Sequence, residues 1–334
     1  MLRLTRPRAA AGPPGGPRPR PAAPAARAEQ KPTRSHHEPP RLRSVTVIGC
    51  GLIGTSLALR LTRAGIAVSL ADLDPAAVAL GAGRGAGAPL APDAPPADLV
   101  VVATPPSAVV DVLYEAQARG LGRAYTDVAA AKGLIWEEAV LRGCDLRGYV
   151  PGHPMAGRGP SGTAAAEPGL FAGRPWILCP GPSVHPEAVA AVEELVSLCG
   201  AVPHTMPPAA HDEAVATVSH TPMLVAVALA AQLADTAPDV LALAGGGLRD
   251  TTRIAASDPG LWSDILTHNA PAVAASVERV AADLALMASA LRDGGDTCSV
   301  SVGGLLLQGR RGRAALLDAT GSRNPGDARS RTRV

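Results

Sequence analysis

The chain has 334 residues, enough for two ordinary domains, and its formal net charge is only +2. Residues 1–43 carry a net charge of +8 and residues 309–334 one of +5, which leaves a central part of net −11. An acidic central part argues against nucleic acid as the main partner, and an aromatic content of 2% excludes stacking platforms for bases.

The cysteine content excludes two further classes of protein. Five cysteines make an odd number, and none are spaced as C-x-x-C, so we expect neither a disulfide framework nor a cysteine metal site. The first residues contain no apolar run of the kind found in secretory signals. We therefore expect a cytoplasmic protein with reduced thiols and without a bound metal.

Both ends of the chain have the composition of unstructured segments. Residues 1–43 are rich in proline and arginine, and residues 294–334 are rich in glycine, arginine and serine. Such segments bury too little apolar surface to offset the loss of chain entropy on folding. We predict a disordered tail over each of these two ranges.

Between the tails, strand patterns alternate with helix patterns as far as residue 206. In chain order, the predicted elements are strand 44–49, helix 52–64, strand 67–71, strand 99–104, helix 106–119, strand 124–128, helix 132–142, strand 176–179 and strand 202–206. This alternation indicates βαβ units and a parallel sheet. We predict an α/β domain with a parallel sheet over residues 44–206.

After residue 207 the pattern becomes helical. Helices are predicted over 209–234, 259–268 and 271–291, which together form an all-helical domain over residues 207–293. The stretch Ala214–Ala234 has no charged residue and is long enough to span a bilayer. It contains Ser219, His220 and Gln232, however, which favours a helix buried within protein. We expect no membrane span, and burial of this helix between two subunits.

The first chemical motif is a glycine-rich loop. Gly49, Gly51 and Gly54 form G-x-G-x-x-G, with Leu52 and Ile53 between the last two glycines. The loop follows a predicted strand and opens a predicted helix, which is the context of a dinucleotide site. We therefore predict that residues 44–206 form a dinucleotide-binding domain of the Rossmann type. The glycines permit a tight turn, close approach of a pyrophosphate and close packing, and the helix N-terminus faces the phosphate charge.

Two later positions extend this site. Asp72 ends the second strand, where an acid hydrogen-bonds the adenosine ribose and repels a 2′-phosphate, so NAD is favoured over NADP. Alternatively, Asp72 only caps the turn before Asp74. Thr104 and Pro105 follow the next apolar run, where loops that line a cofactor belong, although their composition also suits an ordinary turn.

Three further segments carry candidate catalytic groups. His153 stands between Gly152 and Pro154, and its ordinary pKa suits it to accept a proton as hydride leaves, although a lone histidine is often structural. A second segment runs from His211 through His220. A third places Arg253 after three glycines, as a carboxylate clamp or as a surface arginine paired with Asp250 or Asp258.

Taken in order, these motifs resemble the prephenate dehydrogenase family, which includes arogenate dehydrogenases, over residues 44–292. The motifs are G-x-G-x-x-G, D-x-x-x-x-K-G ending at Gly133, G-H-P-x-A-G around His153, V-S-H ending at His220, and G-G-G-x-x-D-x-T-R-I-A around Arg253. The resemblance implies NAD, a homodimer formed through the helical domain, and oxidative decarboxylation of prephenate. It also implies that His153 accepts the hydroxyl proton, Arg253 binds a substrate carboxylate, His220 lines the pocket and Asp250 orients Arg253.

Three positions depart from the family pattern. Ala130 replaces a common serine, Gly159 a common acid, and Met223 a common histidine. Each change removes a polar group that the resemblance places near the substrate. Prephenate, 4-amino-4-deoxyprephenate and arogenate therefore all stay open as substrates, as does a non-catalytic NAD-binding role.

A different enzyme class shares the predicted domain plan. β-Hydroxyacid dehydrogenases and imine reductases also join a Rossmann-type domain to a helical one, and they use a lysine, an acidic or an aromatic residue on the helix between the domains. Lys132 is the only lysine in the central part, and it falls within the predicted sheet domain. Loss of activity with intact folding in Lys132→Ala would favour this second class.

Overall fold

The computed structural model of the chain describes residues 42–157 and 162–321. Six parallel strands form its main sheet. They are β1 (Ser44–Ile48), β2 (Ala67–Ala71), β3 (Ala88–Pro89), β4 (Ala97–Val102), β5 (Gly122–Asp127) and β6 (Tyr149–Val150). Their spatial order is β3–β2–β1–β4–β5–β6, so the chain reverses direction across the sheet between β1 and β4. Doubly wound folds bind ligands at the carboxyl ends of the two strands that flank such a reversal.

Helices cover both faces of this sheet. They are α1 (Leu52–Arg63), α2 (Pro75–Gly83), α3 (Pro106–Ala118), α4 (Gly133–Arg142) and α5 (Pro186–Leu198). Successive side chains of β4 point to opposite faces, so Val101 joins the core under α1 and α5 while Val100 and Val102 join the core under α3 and α4. The continuous apolar run in the sequence arises from this burial on both faces.

The predicted strands near residues 176 and 202 form a separate sheet, which corrects the expectation that the parallel sheet continues to them. The second sheet consists of β7 (Gly152–Pro154), β8 (Pro175–Leu178) and β9 (Val202–Thr205), with β7 antiparallel to β8. Pro151 separates the two sheets because it has no N–H to continue the ladder of β6. Its carbonyl instead accepts a hydrogen bond of 2.9 Å from the Cys179 N–H.

Every helix beyond residue 207 belongs to a second, helical part. These helices are α6 (Pro208–Val215), α7 (Thr221–Ala231), α8 (Pro238–Leu241), α9 (Gly246–Thr252), α10 (Pro259–His268), α11 (Ala270–Asp293) and α12 (Gly295–Ala319). A π-helical turn, Ala216–His220, joins α6 to α7. A parallel-sheet domain followed by a helical domain is the predicted fold class, and it is confirmed.

The long uncharged stretch forms the continuous helical run Pro208–Ala231. This run is long and apolar enough to cross a membrane by length and composition, and only 33% of its most apolar window is buried in the single chain. Val218, Val227 and Leu229 are among its exposed side chains. The single chain therefore does not bury this helix on all sides, and the expected burial between two subunits stays a prediction.

The two expected tails need correction where the structure describes them. Residues 295–319 form α12, which packs against α11, although disorder was expected from residue 294. Four glycines in the interior of α12 lower its intrinsic helix propensity by about 1 kcal/mol each, and contact with α11 compensates for this. Leu42, placed in the first tail, is buried, and its N–H donates to Glu194 Oε2 at 3.1 Å. Residues 1–41 and 322–334 lie outside the described residues.

Candidate active site

The glycine-rich loop joins β1 to α1 at the reversal of the sheet. Gly49 has φ +107°, and a Cβ on it would lie 2.3 Å from the Ala103 carbonyl oxygen. A Cβ on Gly54 would lie 1.9 Å from the Gly49 carbonyl oxygen, whereas one on Gly51 would meet nothing within 4 Å. Packing of the protein therefore requires the first and third glycines, while the second leaves open space for a ligand.

The N-terminus of α1 is suited to bind the phosphates of a dinucleotide. Its N-cap residue, Gly51, provides no side-chain hydrogen bond, so the N–H groups of the first turn, which begins with Leu52 and Ile53, are left for an anion. The hydroxyl of Thr104 lies beside this loop, buried and without a hydrogen-bond partner among the described residues. An unpartnered buried hydroxyl at this point also fits a bound ligand.

Asp72 follows β2, and its carboxylate contacts both the glycine-rich loop and the turn before α2. Its Oδ2 accepts a hydrogen bond of 2.5 Å from the Cys50 N–H, which fixes the carboxylate against the glycine-rich loop. Its Oδ1 accepts one of 2.9 Å from the Asp74 N–H, so it also shapes the turn before α2. The carboxylate is therefore positioned where the ribose of a dinucleotide would lie.

Pro105 is the N-cap residue of α3, at the boundary with the helical domain. Together with Ser107 and residues of α10 it lines an open cleft of about 630 Å³. The Asp264 carboxylate crosses this boundary and accepts hydrogen bonds from the N–H and hydroxyl of Ser107 at 3.1 and 3.0 Å. The cleft thus lies between the end of the cofactor loop and the helical domain.

His153 lies at the centre of a buried polar cluster. Strand β7 carries it, only 8% exposed, and its Nδ1 is 2.8 Å from Nε2 of His211. Burial lowers the pKa of His153 well below its ordinary value, and the nearby rings of His211 and His220 and the charge of Lys132 lower it further. The imidazole is therefore neutral at neutral pH and able to accept a proton.

His211 is held in turn by Asp212. The Nδ1 of His211 is 2.8 Å from Asp212 Oδ1, and the same carboxylate accepts the N–H groups of Lys132 at 2.9 Å and Gly133 at 2.8 Å. Burial lowers the pKa of His211, while the hydrogen bond to Asp212 opposes that change. One carboxylate on α6 thus orients a histidine and caps α4 of the sheet domain.

Lys132 is fully buried and takes no part in lining the cleft. Its Nζ is paired with Asp127 Oδ1, and the other oxygen of Asp127 accepts the Tyr149 hydroxyl at 2.6 Å. Burial and the Asp127 charge raise the pKa of Tyr149 well above its ordinary value. Lys132 precedes α4 within the sheet domain, so it lacks the position that a catalytic lysine between two domains requires.

His220 ends the π-helical turn, an irregularity frequent at functional sites. Its Nδ1 is 3.2 Å from the side-chain nitrogen of Asn269, which also donates to the Asp212 carbonyl at 2.9 Å. Its Nε2 is buried and has no partner in the described part of the chain. Burial, with a contribution from His211, lowers the pKa of His220 to about 4. A neutral, unpartnered ring nitrogen near His153 is suited to contact a ligand.

The predicted arginine clamp takes no part in the hydrogen bonds of this buried cluster. Arg253 begins a 3₁₀ turn, Arg253–Ala256, and its side chain is exposed, as is that of Asp250. Within residues 42–157 and 162–321 neither side chain forms a hydrogen bond or ion pair, so the expected pairing of the two is not present. Met223 is buried in α7, Ala130 is half-buried in the loop before α4, and Gly159 lies outside the described residues.

Residue types and spacing left three members of the cluster without a role. They are His211 and Asp212, which lie on α6, and Asn269, which lies between α10 and α11. The adjacent pair His211 and Asp212, at the start of that domain, was the available signal. Within the described ranges no group of three His, Cys, Asp or Glu side chains is placed to hold a metal ion.

Two family models match the chain. "Prephenate dehydrogenase, nucleotide-binding domain" covers residues 56–204, and "Prephenate dehydrogenase, dimerization domain" covers residues 207–298. The first match begins just after the glycine-rich loop, so the assignment of that loop depends on its geometry. Together the two matches cover more than half of the chain.

The chain is also similar to individual proteins. It is 37% identical to "Probable prephenate dehydrogenase NovF" of Streptomyces niveus, a match that covers 75% of this chain and 69% of that protein. It is 33% identical to the prephenate dehydrogenase of Bacillus subtilis (strain 168), covering 68% of this chain and 64% of that enzyme. The chain thus spans slightly less than two thirds of the Bacillus protein.

Two solved structures share the fold over most of their length. The prephenate dehydrogenase of Aquifex aeolicus, in complex with hydroxyphenyl propionate and NAD⁺, superposes with a TM-score of 0.71 at 25% identity and covers 81% of this chain and 98% of that one. The Synechocystis arogenate dehydrogenase superposes with a TM-score of 0.67 at 27% identity and covers 82% and 99%.

Proposed function

The chain belongs to the prephenate dehydrogenase family, and we propose that it catalyses the NAD-dependent oxidative decarboxylation of prephenate to 4-hydroxyphenylpyruvate, a step of tyrosine biosynthesis. One observation carries the proposal. His153 is a buried, neutral histidine whose Nδ1 is bound by His211, which leaves its Nε2 for a substrate. His220 presents a second unpartnered nitrogen in the same cluster.

The cofactor is NAD. The Gly49–Gly54 loop and the free N–H groups of α1 bind its pyrophosphate, and Asp72 binds the adenosine ribose and disfavours a 2′-phosphate. Thr104 and Pro105 lie at the boundary with the helical domain and would line the rest of the cofactor site. When bound, NAD supplies an acceptor for the hydride that leaves ring C4 of the substrate.

His153 takes the hydroxyl proton in this reaction. The O–H bond of the ring hydroxyl breaks, its proton binds Nε2 of His153, and the ring carboxylate leaves as carbon dioxide while the ring becomes aromatic. Aromatisation supplies the driving force, so a weak, neutral base is sufficient, and the protein mainly orients the substrate and stabilises charge. His220 lines the pocket from the helical domain. The exposed guanidinium of Arg253, which has no ion-pair partner among the described residues, binds a substrate carboxylate.

A second candidate substrate is 4-amino-4-deoxyprephenate, in which an amine replaces the ring hydroxyl. Ala130 lies in the loop fixed by Asp127 and Asp212, and a methyl group there offers no hydrogen bond to a substrate hydroxyl. Met223 is buried in α7, three residues after His220, and is likewise apolar. A site that lacks these polar groups does not require a hydroxyl at ring position 4 and can accept an amine there. Arogenate is the remaining alternative, because the chain is also similar to an arogenate dehydrogenase.

The active enzyme is a cytoplasmic homodimer formed through the helical domain. The dimerisation-domain model covers this part of the chain, and only a third of the most apolar window of the run Pro208–Ala231 is buried in the single chain. A partner subunit would cover Val218, Val227 and Leu229, and this burial replaces a membrane as the environment of the helix.

Parallel assays of NADH formation test the function. Purified protein is mixed with NAD⁺ and prephenate, 4-amino-4-deoxyprephenate or arogenate, and the absorbance is followed. Turnover of prephenate that is lost in His153→Asn supports the proposal. Turnover of 4-amino-4-deoxyprephenate alone would instead identify that compound as the substrate. Absence of turnover with all three substrates, in a protein that binds NAD, would contradict an enzymatic role.

A further inference from the structure

Asp212, His211 and His153 are joined by two short hydrogen bonds in series. A carboxylate can only accept hydrogen bonds, and Asp212 has three N–H donors around it, one of them from His211. Nδ1 of His211 must therefore carry its hydrogen. This first bond sets the tautomer of the His211 ring.

The hydrogen bond between His211 and His153 in turn sets the tautomer of the His153 ring. His211 is neutral, because burial and the charge of Lys132 lower its pKa, so its Nε2 has a free lone pair. That lone pair is 2.8 Å from Nδ1 of His153, which must then donate its hydrogen. Nε2 of His153 is left unprotonated, and it has no hydrogen-bond partner among the described residues.

We propose that His211 and Asp212 act as positioning residues that hold His153 in its Nδ1–H tautomer, so that Nε2 is the proton-accepting atom, and that they delocalise the charge created when the proton arrives. The proposal rests on the base role proposed for His153. As the substrate proton binds Nε2, the hydrogen on Nδ1 moves towards His211, and the hydrogen on Nδ1 of His211 moves towards Asp212. Positive charge is thereby shifted towards a carboxylate without any further proton entering or leaving the site.

The two hydrogen bonds that join His153 through His211 to Asp212 form a relay. The charged neighbours of His153 show why this relay is needed. Lys132 faces His153, and its charge opposes a positive charge on the His153 ring. Asp127 is already paired with Lys132, so it compensates that charge only in part. Asp212 is the remaining carboxylate that acts on this cluster, and it reaches His153 only through His211. Without the relay, an imidazolium at residue 153 would be buried beside the like charge of Lys132.

Nitrogen NMR of histidine-labelled protein tests the tautomer directly. Correlation of ring nitrogens with ring protons distinguishes Nδ1–H from Nε2–H, and His153→Asn identifies the signal of His153. The full-length wild type is expected to show the Nδ1–H form for both His153 and His211. A wild-type spectrum with His153 in the Nε2–H form would overturn the proposal, whichever substrate the enzyme uses.

Three variants test the relay in catalysis. His211→Leu removes it and should lower kcat about 100-fold and change the pH profile. His211→Gln keeps an amide oxygen that accepts the hydrogen of Nδ1, so it should retain activity within about tenfold of the wild type. His204→Gln changes an exposed histidine on β9 and should leave kcat unchanged. Folding of each variant is checked by thermal unfolding.

Two kinetic results for the His211 variants would contradict the proposal. Equal kcat and pH profile in His211→Leu and the wild type would overturn the proposal, and so would a His211→Gln variant that folds but is as impaired as His211→Leu. A wild type without turnover on any ring substrate would sink the proposed function instead. In that case the nitrogen spectrum still decides whether the relay exists, so the two failures are distinguishable.

Discussion

Asp212 Oδ2 accepts a hydrogen bond of 2.8 Å from the backbone N–H of Gly133, the first residue of α4. The carboxylate belongs to the helical domain and the N–H group to the sheet domain. It caps the positive end of a helix across the domain boundary, a contact generally worth about 1 kcal/mol. The same side chain orients His211, so docking of the domains and positioning of the catalytic cluster depend on one carboxylate.

Substitution of Gly133 tests this coupling. A Cβ at this position would lie 2.8 Å from Asp212 Oδ2, and this oxygen cannot move freely because the carboxylate has three N–H partners. We expect Gly133→Ala to destabilise the fold by about 1–3 kcal/mol and to lower kcat. Gly83→Ala is the matched control, since a Cβ there meets nothing within 4 Å. Urea unfolding and NADH formation measure the two effects; a Gly133→Ala protein as stable and active as Gly83→Ala would refute the coupling.

Removal of the Lys132 ammonium separates a structural lysine from a catalytic one. Lys132→Met leaves the Asp127 carboxylate buried without its counter-charge, which generally costs about 3–5 kcal/mol. In Lys132→Met/Asp127→Asn no buried charge is left, and we expect at least half of the lost stability and measurable turnover to return. Urea unfolding and initial rates check this. A double variant that is stable but inactive would instead assign Lys132 a direct role and revive the β-hydroxyacid dehydrogenase class.

The fold was largely predictable because its determinants are local. The strand from Ser44, the glycine loop and the buried run of β4 are continuous in sequence, and periodicity indicates each of them. The second sheet was not predictable in the same way, because its separation depends on Pro151 at the end of a strand of two residues. Helix α12 was missed because its composition suggests disorder, and its contact with α11 is tertiary.

The site was only partly predictable, for a related reason. Single residues such as His153 and Asp72 stand in recognisable local motifs. The bond from His153 to His211 spans 58 positions, and the bonds from Asp212 to Lys132 and Gly133 span about 80. No spacing rule indicates such contacts, since they arise only when the helical domain docks. The expected pairing of Arg253 with Asp250, based on the resemblance, does not form.

Lowering the pH should reduce the free energy of unfolding, because burial lowers the pKa of His220. Its pKa in the folded protein is about 4, against 6.5 in an unfolded chain, so between these values the unfolded chain binds a proton that the native state does not. Stability therefore falls as the pH drops from 6.5 towards 4, by about 1–3 kcal/mol from this group. We expect His220→Gln to flatten the dependence in urea unfolding at pH 7.5, 6 and 5, and the exposed control His204→Gln to leave it unchanged. An equal slope in all three proteins would exclude this contribution.

Asp72 should determine the choice between NAD and NADP by its charge and not by its shape. Asp72→Asn keeps an oxygen that accepts the Cys50 N–H, so the loop stays in place while the negative charge is removed. Without that charge, a 2′-phosphate is no longer repelled, and the ribose hydroxyls lose an ionic acceptor. We expect the ratio of kcat/KM for NADP⁺ over NAD⁺ to rise about 10- to 100-fold, mainly through KM. Asp74→Asn is the matched control, because Asp74 is the neighbouring exposed acid and caps α2 through the Ala76 N–H without contacting the loop. If both variants changed the ratio equally, general surface charge would explain the effect, and the specific position of Asp72 against Cys50 would not.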